Sequence, residues 1–115
     1  VVDDNMLNLK VAERLLKAYK CNITLVSSGS ECLDKVSNNK YDLILLDDMM
    51  PRMSGTETLQ KLKEIETFTT PVVALTANAI TGMKEEYINR GFNDYLSKPI
   101  IKEDLNRVMK KYLKK

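Results

Sequence analysis

The sequence predicts an α/β domain in which five strands alternate with five helices around a parallel sheet covered on both faces. Three observations carry this. Leu43 to Leu46 form an unbroken apolar run that ends at Asp47 and Asp48, as in a strand buried on both sides. Short β-rich runs alternate with segments of helical period along the whole chain. The length, 115 residues with 43% hydrophobic and 30% charged, suits one domain with a real core.

Val1-Val2 reads as the end of a first strand running into Asp3 and Asp4. Asn5 to Lys20 carries Asn8, Val11, Ala12, Leu15, Leu16 and Tyr19 at helical spacing, which predicts a buried stripe. Met6, Leu7 and Leu9 are expected outside that stripe. Asn22 to Val26 is a second strand, closed by Ser27-Ser28-Gly29. Ser28 with Glu31 fits a capping box, and the helix it opens runs to about Asn38. The central strand follows, and its loop closes near Gly55. Ser54-Gly55 opens a helix with Leu59, Leu62 and Ile65 on one face. Pro71 precedes a strand over Val72 to Leu75, since proline is tolerated at a strand's first residue. A helix from about Thr81 to Arg90 stops at Gly91. Asp94 to Ser97 is a short strand before Lys98-Pro99. The last helix shows Leu105, Val108, Met109 and Tyr112 at i, i+3, i+4, i+7, with a lysine-rich end that suits the helix dipole.

Right-handed crossovers and short loops leave few topologies, and the flavodoxin-like strand order 2-1-3-4-5 is the one chosen. Its switch point lies between the first and third strands. Asp3, Asp4 and Asp47 then meet at the carboxyl ends of those strands, where ligands bind in open α/β sheets. Three converging carboxylates repel unless a cation joins them. Magnesium fits: it is hard, takes oxygen ligands and keeps several waters. The chain has no His, and Cys21 and Cys32 lie in no zinc spacing, so they read as idle reduced thiols in a cytoplasmic setting. Thr76 ends the fourth strand with a hydroxyl, and Lys98 ends the fifth with a point charge. Together these groups suit phosphoryl transfer to an aspartate.

A net charge of +2 does not suggest nucleic acid, and no apolar run approaches the ~20 residues of a membrane span. The chain begins inside an apolar segment, and so residues 1–115 are expected to be one domain of a longer protein.

The acidic pair in VVDDN, the loop LLDDMMPRMSG, the LTAN segment and DYLSKP occur in this order, each at a strand end. With them the chain resembles the receiver domain of two-component response regulators over its whole length. The resemblance implies that Asp47 is the phosphoacceptor. It implies that Asp4, Asp47 and the Met49 carbonyl ligand Mg²⁺, with Asp3 acting directly or through water. Thr76 would bond a phosphoryl oxygen and Lys98 would pair with the phosphate. Tyr95 matches the aromatic whose rotamer follows phosphorylation, and the Lys98-Pro99 bond would be cis. NLKVAERLL, ALTANA and GFNDYLSKPI are similar to receivers attached to hybrid sensor histidine kinases. The implied partner is a histidine kinase or histidine phosphotransfer domain, met by a monomer or weak dimer. Met6, Leu7, Leu9, Pro99 and Ile100 are a candidate docking patch for it.

Two features depart from the family pattern. Ser54 stands where Asp is frequent, and Asp48 adds an acid beside the acceptor, expected to face solvent because neighbours along an extended chain point to opposite sides. Two other readings stay open: a small magnesium-dependent phosphatase with an aspartyl-phosphate intermediate, and a degenerate receiver that only binds partners. The phosphatase reading lacks a second Asp two residues after the nucleophile, where Met49 stands. The receiver reading makes the domain a signalling module that catalyses only its own phosphorylation and dephosphorylation.

Overall fold

A computed structural model describes residues 1–19, 22–48, 50, 53–65, 68–76, 83–97 and 100–113. Three strands form a parallel sheet: β1 (Ile44–Asp47), β2 (Val72–Thr76) and β3 (Asp94–Ser97). Val2 bridges in parallel to both Val26 and Leu46, so the Val2 segment lies between the Val26 segment and β1. The order across the sheet is thus the expected 2-1-3-4-5. The two outermost positions on that side are single bridges here rather than full strands.

Five helices cover the sheet: α1 (Met6–Leu16), α2 (Gly29–Asn38), α3 (Gly55–Lys63), α4 (Met83–Arg90) and α5 (Lys102–Leu113). Alternation along the strands sorts the core into two layers. Ile44, Leu46, Val72 and Ala74 pack with Cys32 of α2, Leu59 and Leu62 of α3, and Tyr87 of α4. Leu45, Val73, Leu75 and Leu96 pack with Leu16 of α1 and Leu105, Val108 and Met109 of α5. Burial pushes the Cys32 thiol up to about 11, which leaves it inert at neutral pH.

Side chains cap the helices as their sequences suggest. Ser28 accepts from the Glu31 amide at 3.2 Å, and Ser54 accepts from the Glu57 amide at 3.1 Å. Capping is thus a role for Ser54 that needs no carboxylate. Gly91, at φ 110°, ends α4 in a conformation that other residues rarely adopt.

The phase of α1 corrects one expectation. Its buried residues are Leu9, Ala12 and Leu16, at i, i+3 and i+7. Leu9 is 2% exposed and cannot belong to a surface patch, while Val11, expected inside, is 42% exposed. At 100° per residue Val11 falls on the side opposite Leu9, next to Leu7.

At the far end of the sheet, Asp94 is fully buried at the start of β3. It accepts from Arg107 Nη1 at 3.0 Å and from the Tyr95 amide at 2.8 Å, with Lys111 Nζ at 3.6 Å. Burial pushes its carboxyl up. The Tyr95 amide and the Arg107 and Lys111 cations outweigh that and hold it below the ordinary aspartate value.

Candidate functional site

The site is assembled by backbone pairing at the carboxyl edge of the sheet. Val2 donates to Leu45 O at 2.7 Å and accepts from the Asp47 amide at 2.8 Å. This register sets Asp3 and Asp4 beside Asp47. The Asp48 amide continues the pairing to Leu75 O at 3.0 Å. The loop then returns through Gly55, whose amide donates to Asp48 O at 3.0 Å. A Cβ on Gly55 would stand 2.3 Å from the Asp47 carbonyl oxygen, so only glycine lets the loop pass here.

Asp3, Asp4 and Asp47 each offer a carboxylate oxygen, and these oxygens lie within 4.8 Å of one another. Asp3 and Asp47 are buried and Asp4 is exposed. Asp3 Oδ1 also accepts from the Asn5 amide at 2.9 Å, and Asn5 Oδ1 in turn accepts from Leu7 as the N-cap of α1. The bond from Asp3 therefore ties the start of α1 to the acidic cluster. An all-oxygen, partly solvated donor set of this kind suits a hard divalent cation that keeps part of its water shell.

Thr76 is buried at the end of β2, paired in register with Ser97. By alternation it shares the α2–α4 face with Ala74, as Asp48 does with Leu46. Both meet Tyr87 of α4, whose hydroxyl lies 2.9 Å from Asp48 Oδ2 and 2.9 Å from Thr76 Oγ1. Asp48 thus corrects the expectation that it faces solvent. It does point away from Asp47, but in a sheet covered on both sides that direction leads under α4. Its side chain is only 12% exposed and lies 3.6 Å from Arg90 Nη1. Tyr95 is half-buried and stacks on Tyr87, with ring centroids 6.2 Å apart. Burial comes first among the causes that push the Tyr87 phenol up; the Thr76 bond acts against it, and the bond to Asp48 and its charge add to it.

Met49, Lys98 and Pro99, with the expected cis bond, lie outside the described residues. Of the predicted docking patch, Met6 and Leu7 are exposed, Leu7 by 71%. Ile100 is half-buried against the α1/α5 core, with Ile101 exposed beside it. Among the described residues no helix is long and apolar enough to cross a membrane.

Sequence reasoning missed Tyr87 and Arg90. A usable signal was present: Tyr87 is the one aromatic in the charged stretch KEEYINR, three residues before Arg90 on one helical face.

The model of the response regulator receiver domain family matches residues 1–110. The chain belongs to that family. This receiver domain is 37% identical over 112 residues to the signal transduction histidine-protein kinase BarA of Escherichia coli, covering 96% of this chain. It spans 12% of BarA's length. Among solved structures it resembles the receiver domain of the Pseudomonas aeruginosa sensor histidine kinase PA1611, crystallised with magnesium in the active-site cleft. The TM-score is 0.87 at 32% identity, over 99% of this chain and 94% of that one. It also resembles the Saccharomyces cerevisiae Ssk1 receiver domain, co-crystallised with the histidine phosphotransfer protein Ypd1. There the TM-score is 0.86 at 26% identity, over 96% and 84% of the chains.

Proposed function

We propose that this receiver domain takes a phosphoryl group onto Asp47 from a histidine kinase or histidine phosphotransfer protein. The observation that carries this reading is the cluster of Asp3, Asp4 and Asp47, with the acceptor carboxylate buried at the end of β1. An Asp47 oxygen attacks phosphorus, an acyl phosphate bond forms, and the bond to the donor nitrogen breaks, its electron pair staying on the imidazole. Asp3, Asp4, Asp47 and the Met49 carbonyl would hold Mg²⁺. When bound, the ion offsets negative charge on the transferring oxygens. The Thr76 hydroxyl donates to one phosphoryl oxygen, and Lys98 pairs with another. Tyr95 follows Thr76 in the switched state.

The domain catalyses only its own phosphorylation and its own loss of phosphate. It is one part of a longer cytoplasmic or membrane-anchored protein of the hybrid-kinase type, and it acts as a monomer or weak dimer. Met6 and Leu7, now with Val11 in place of Leu9, give α1 an apolar outer face for the helix that carries the donor histidine. The complex formed by the similar Ssk1 receiver supports a phosphotransfer partner.

Incubation with acetyl phosphate and Mg²⁺, followed by intact mass measurement, tests the reading. One added phosphoryl group is the expected result. Sustained turnover without accumulation points to the phosphatase reading, and no labelling points to a degenerate binding module.

A further inference from the structure

We propose that Tyr87 is a positioning residue that holds the Thr76 hydroxyl away from phosphoryl transfer until the acceptor site is engaged, with Asp48 orienting Tyr87. The inference rests on the proposed role of Thr76 as a phosphoryl-oxygen donor.

One phenol stands 2.9 Å from a carboxylate and 2.9 Å from the threonine hydroxyl. A phenol has one proton, and a carboxylate only accepts, so the proton goes to Asp48 and the Tyr87 oxygen accepts from Thr76. Thr76 also has one proton. While it points at Tyr87, it is not available to a phosphoryl oxygen on Asp47.

Three contacts keep Tyr87 in place. Arg90 lies over its ring, 5.3 Å from the centroid, and 3.6 Å from Asp48. Phe92 meets it edge-on at 5.9 Å, and Tyr95 stacks on it at 6.2 Å. The ring is thus fixed by packing, and its hydroxyl oxygen is a stationary acceptor for Thr76. Asp48 polarises that oxygen by accepting its hydrogen bond, which strengthens the bond from Thr76. Recruiting Thr76 to phosphate then requires breaking this bond. By reciprocity, engagement of the acceptor site loosens one of the hydrogen bonds by which Tyr87 fastens α4 to the sheet edge.

The test is a double-mutant cycle between Tyr87→Phe and Thr76→Ala, read as the rate of labelling by acetyl phosphate and as Mg²⁺ affinity. In that reaction an Asp47 oxygen attacks phosphorus and acetate leaves with the electron pair of the broken bond. Phe keeps the ring and its packing but cannot hold the Thr76 proton. Tyr87→Phe should speed labelling about two- to tenfold, the worth of one ordinary hydrogen bond. Mg²⁺ affinity should not change. In the Thr76→Ala background, itself slow, the Phe substitution should have no effect. Asp48→Asn should act in the same direction as Tyr87→Phe but more weakly. The proposal is overturned if Tyr87→Phe slows labelling or leaves it unchanged, or if it has the same effect with and without Thr76. If Thr76→Ala labels as fast as the parent, the assigned role of Thr76 fails, and the positioning proposal with it.

Discussion

The Asp47 amide donates to the Val2 carbonyl at 2.8 Å, and this one bond sets the residue after Val2 beside the proposed acceptor. Asp3 is therefore delivered to Asp47 by strand register rather than by a loop. Such a site is made as stiff as the sheet itself, which suits chemistry that relies on fixed charge.

Asp47→Asn should abolish labelling by acetyl phosphate while leaving the fold intact, because the change is nearly isosteric. Without Mg²⁺ the variant should melt slightly above the parent, since one of three mutually repelling carboxylates loses its charge. Intact mass and thermal melting check both. Stoichiometric labelling of the variant moves the acceptor elsewhere, with Asp48 the first suspect.

Asp4→Ala should weaken Mg²⁺ binding and slow labelling together. The loss should be at least the roughly 10- to 100-fold seen when outer-shell partners of a metal are removed. Calorimetric titration with Mg²⁺ measures it, and an unchanged affinity removes Asp4 from the ligand set.

Much of this was legible in the sequence, and the failures have physical causes. The strand ends could be read because an apolar run that stops at acids marks the carboxyl edge, and the topology then brings Asp3, Asp4 and Asp47 together. The phase of α1 could not. Apolar residues at 6, 7, 9, 11, 12, 15 and 16 surround the helix almost completely, and only contact with the sheet selects Leu9 over Val11. Tyr87 was hidden because its partners Thr76 and Asp48 lie 11 and 39 residues away. Periodicity reports which face of a helix is buried, not which polar atom waits there.

Leu7→Glu should slow phosphotransfer from a cognate histidine protein about fivefold or more, as loss of roughly 1 kcal/mol at an interface implies. Labelling by acetyl phosphate should be unchanged, because a small donor needs no docking face. Parallel time courses with the two donors decide. Equal slowing means the site was damaged, and no slowing means α1 is not the docking surface.

Met49 stands two residues past Asp47 and is apolar, so it cannot orient a water for hydrolysis of the acyl phosphate. Met49→Asn should shorten the phosphorylated lifetime by up to about tenfold, the worth of one good hydrogen bond. Decay after removal of the donor tests this. A variant that decays no faster than the parent rules it out.

Asp94 predicts an acid limit to stability. Its carboxyl sits lower in the folded chain than in the unfolded one, where aspartate titrates near 3.9. The stabilisation it gives is complete above that unfolded value and is lost as pH falls through the lower, folded one. Arg107→Ala should cost about 1.5–3 kcal/mol at neutral pH, the range for a hydrogen bond to a charged group, and less at pH 3. Urea midpoints at the two pH values measure the difference. An equal cost at both would mean that Arg107 contributes packing rather than charge.

The peptide bond between Asp47 and Asp48 has a consequence for how such a domain diversifies. The side chain before it serves the α1 side of the sheet, and the side chain after it serves the α4 side. Substitutions on α4 leave in place the backbone register that brings Asp3 and Asp4 to Asp47. Inserting or deleting one residue in this strand would exchange the two assignments at once, because every following side chain would change face. The strand is therefore a frame in which replacement is tolerated and length is not.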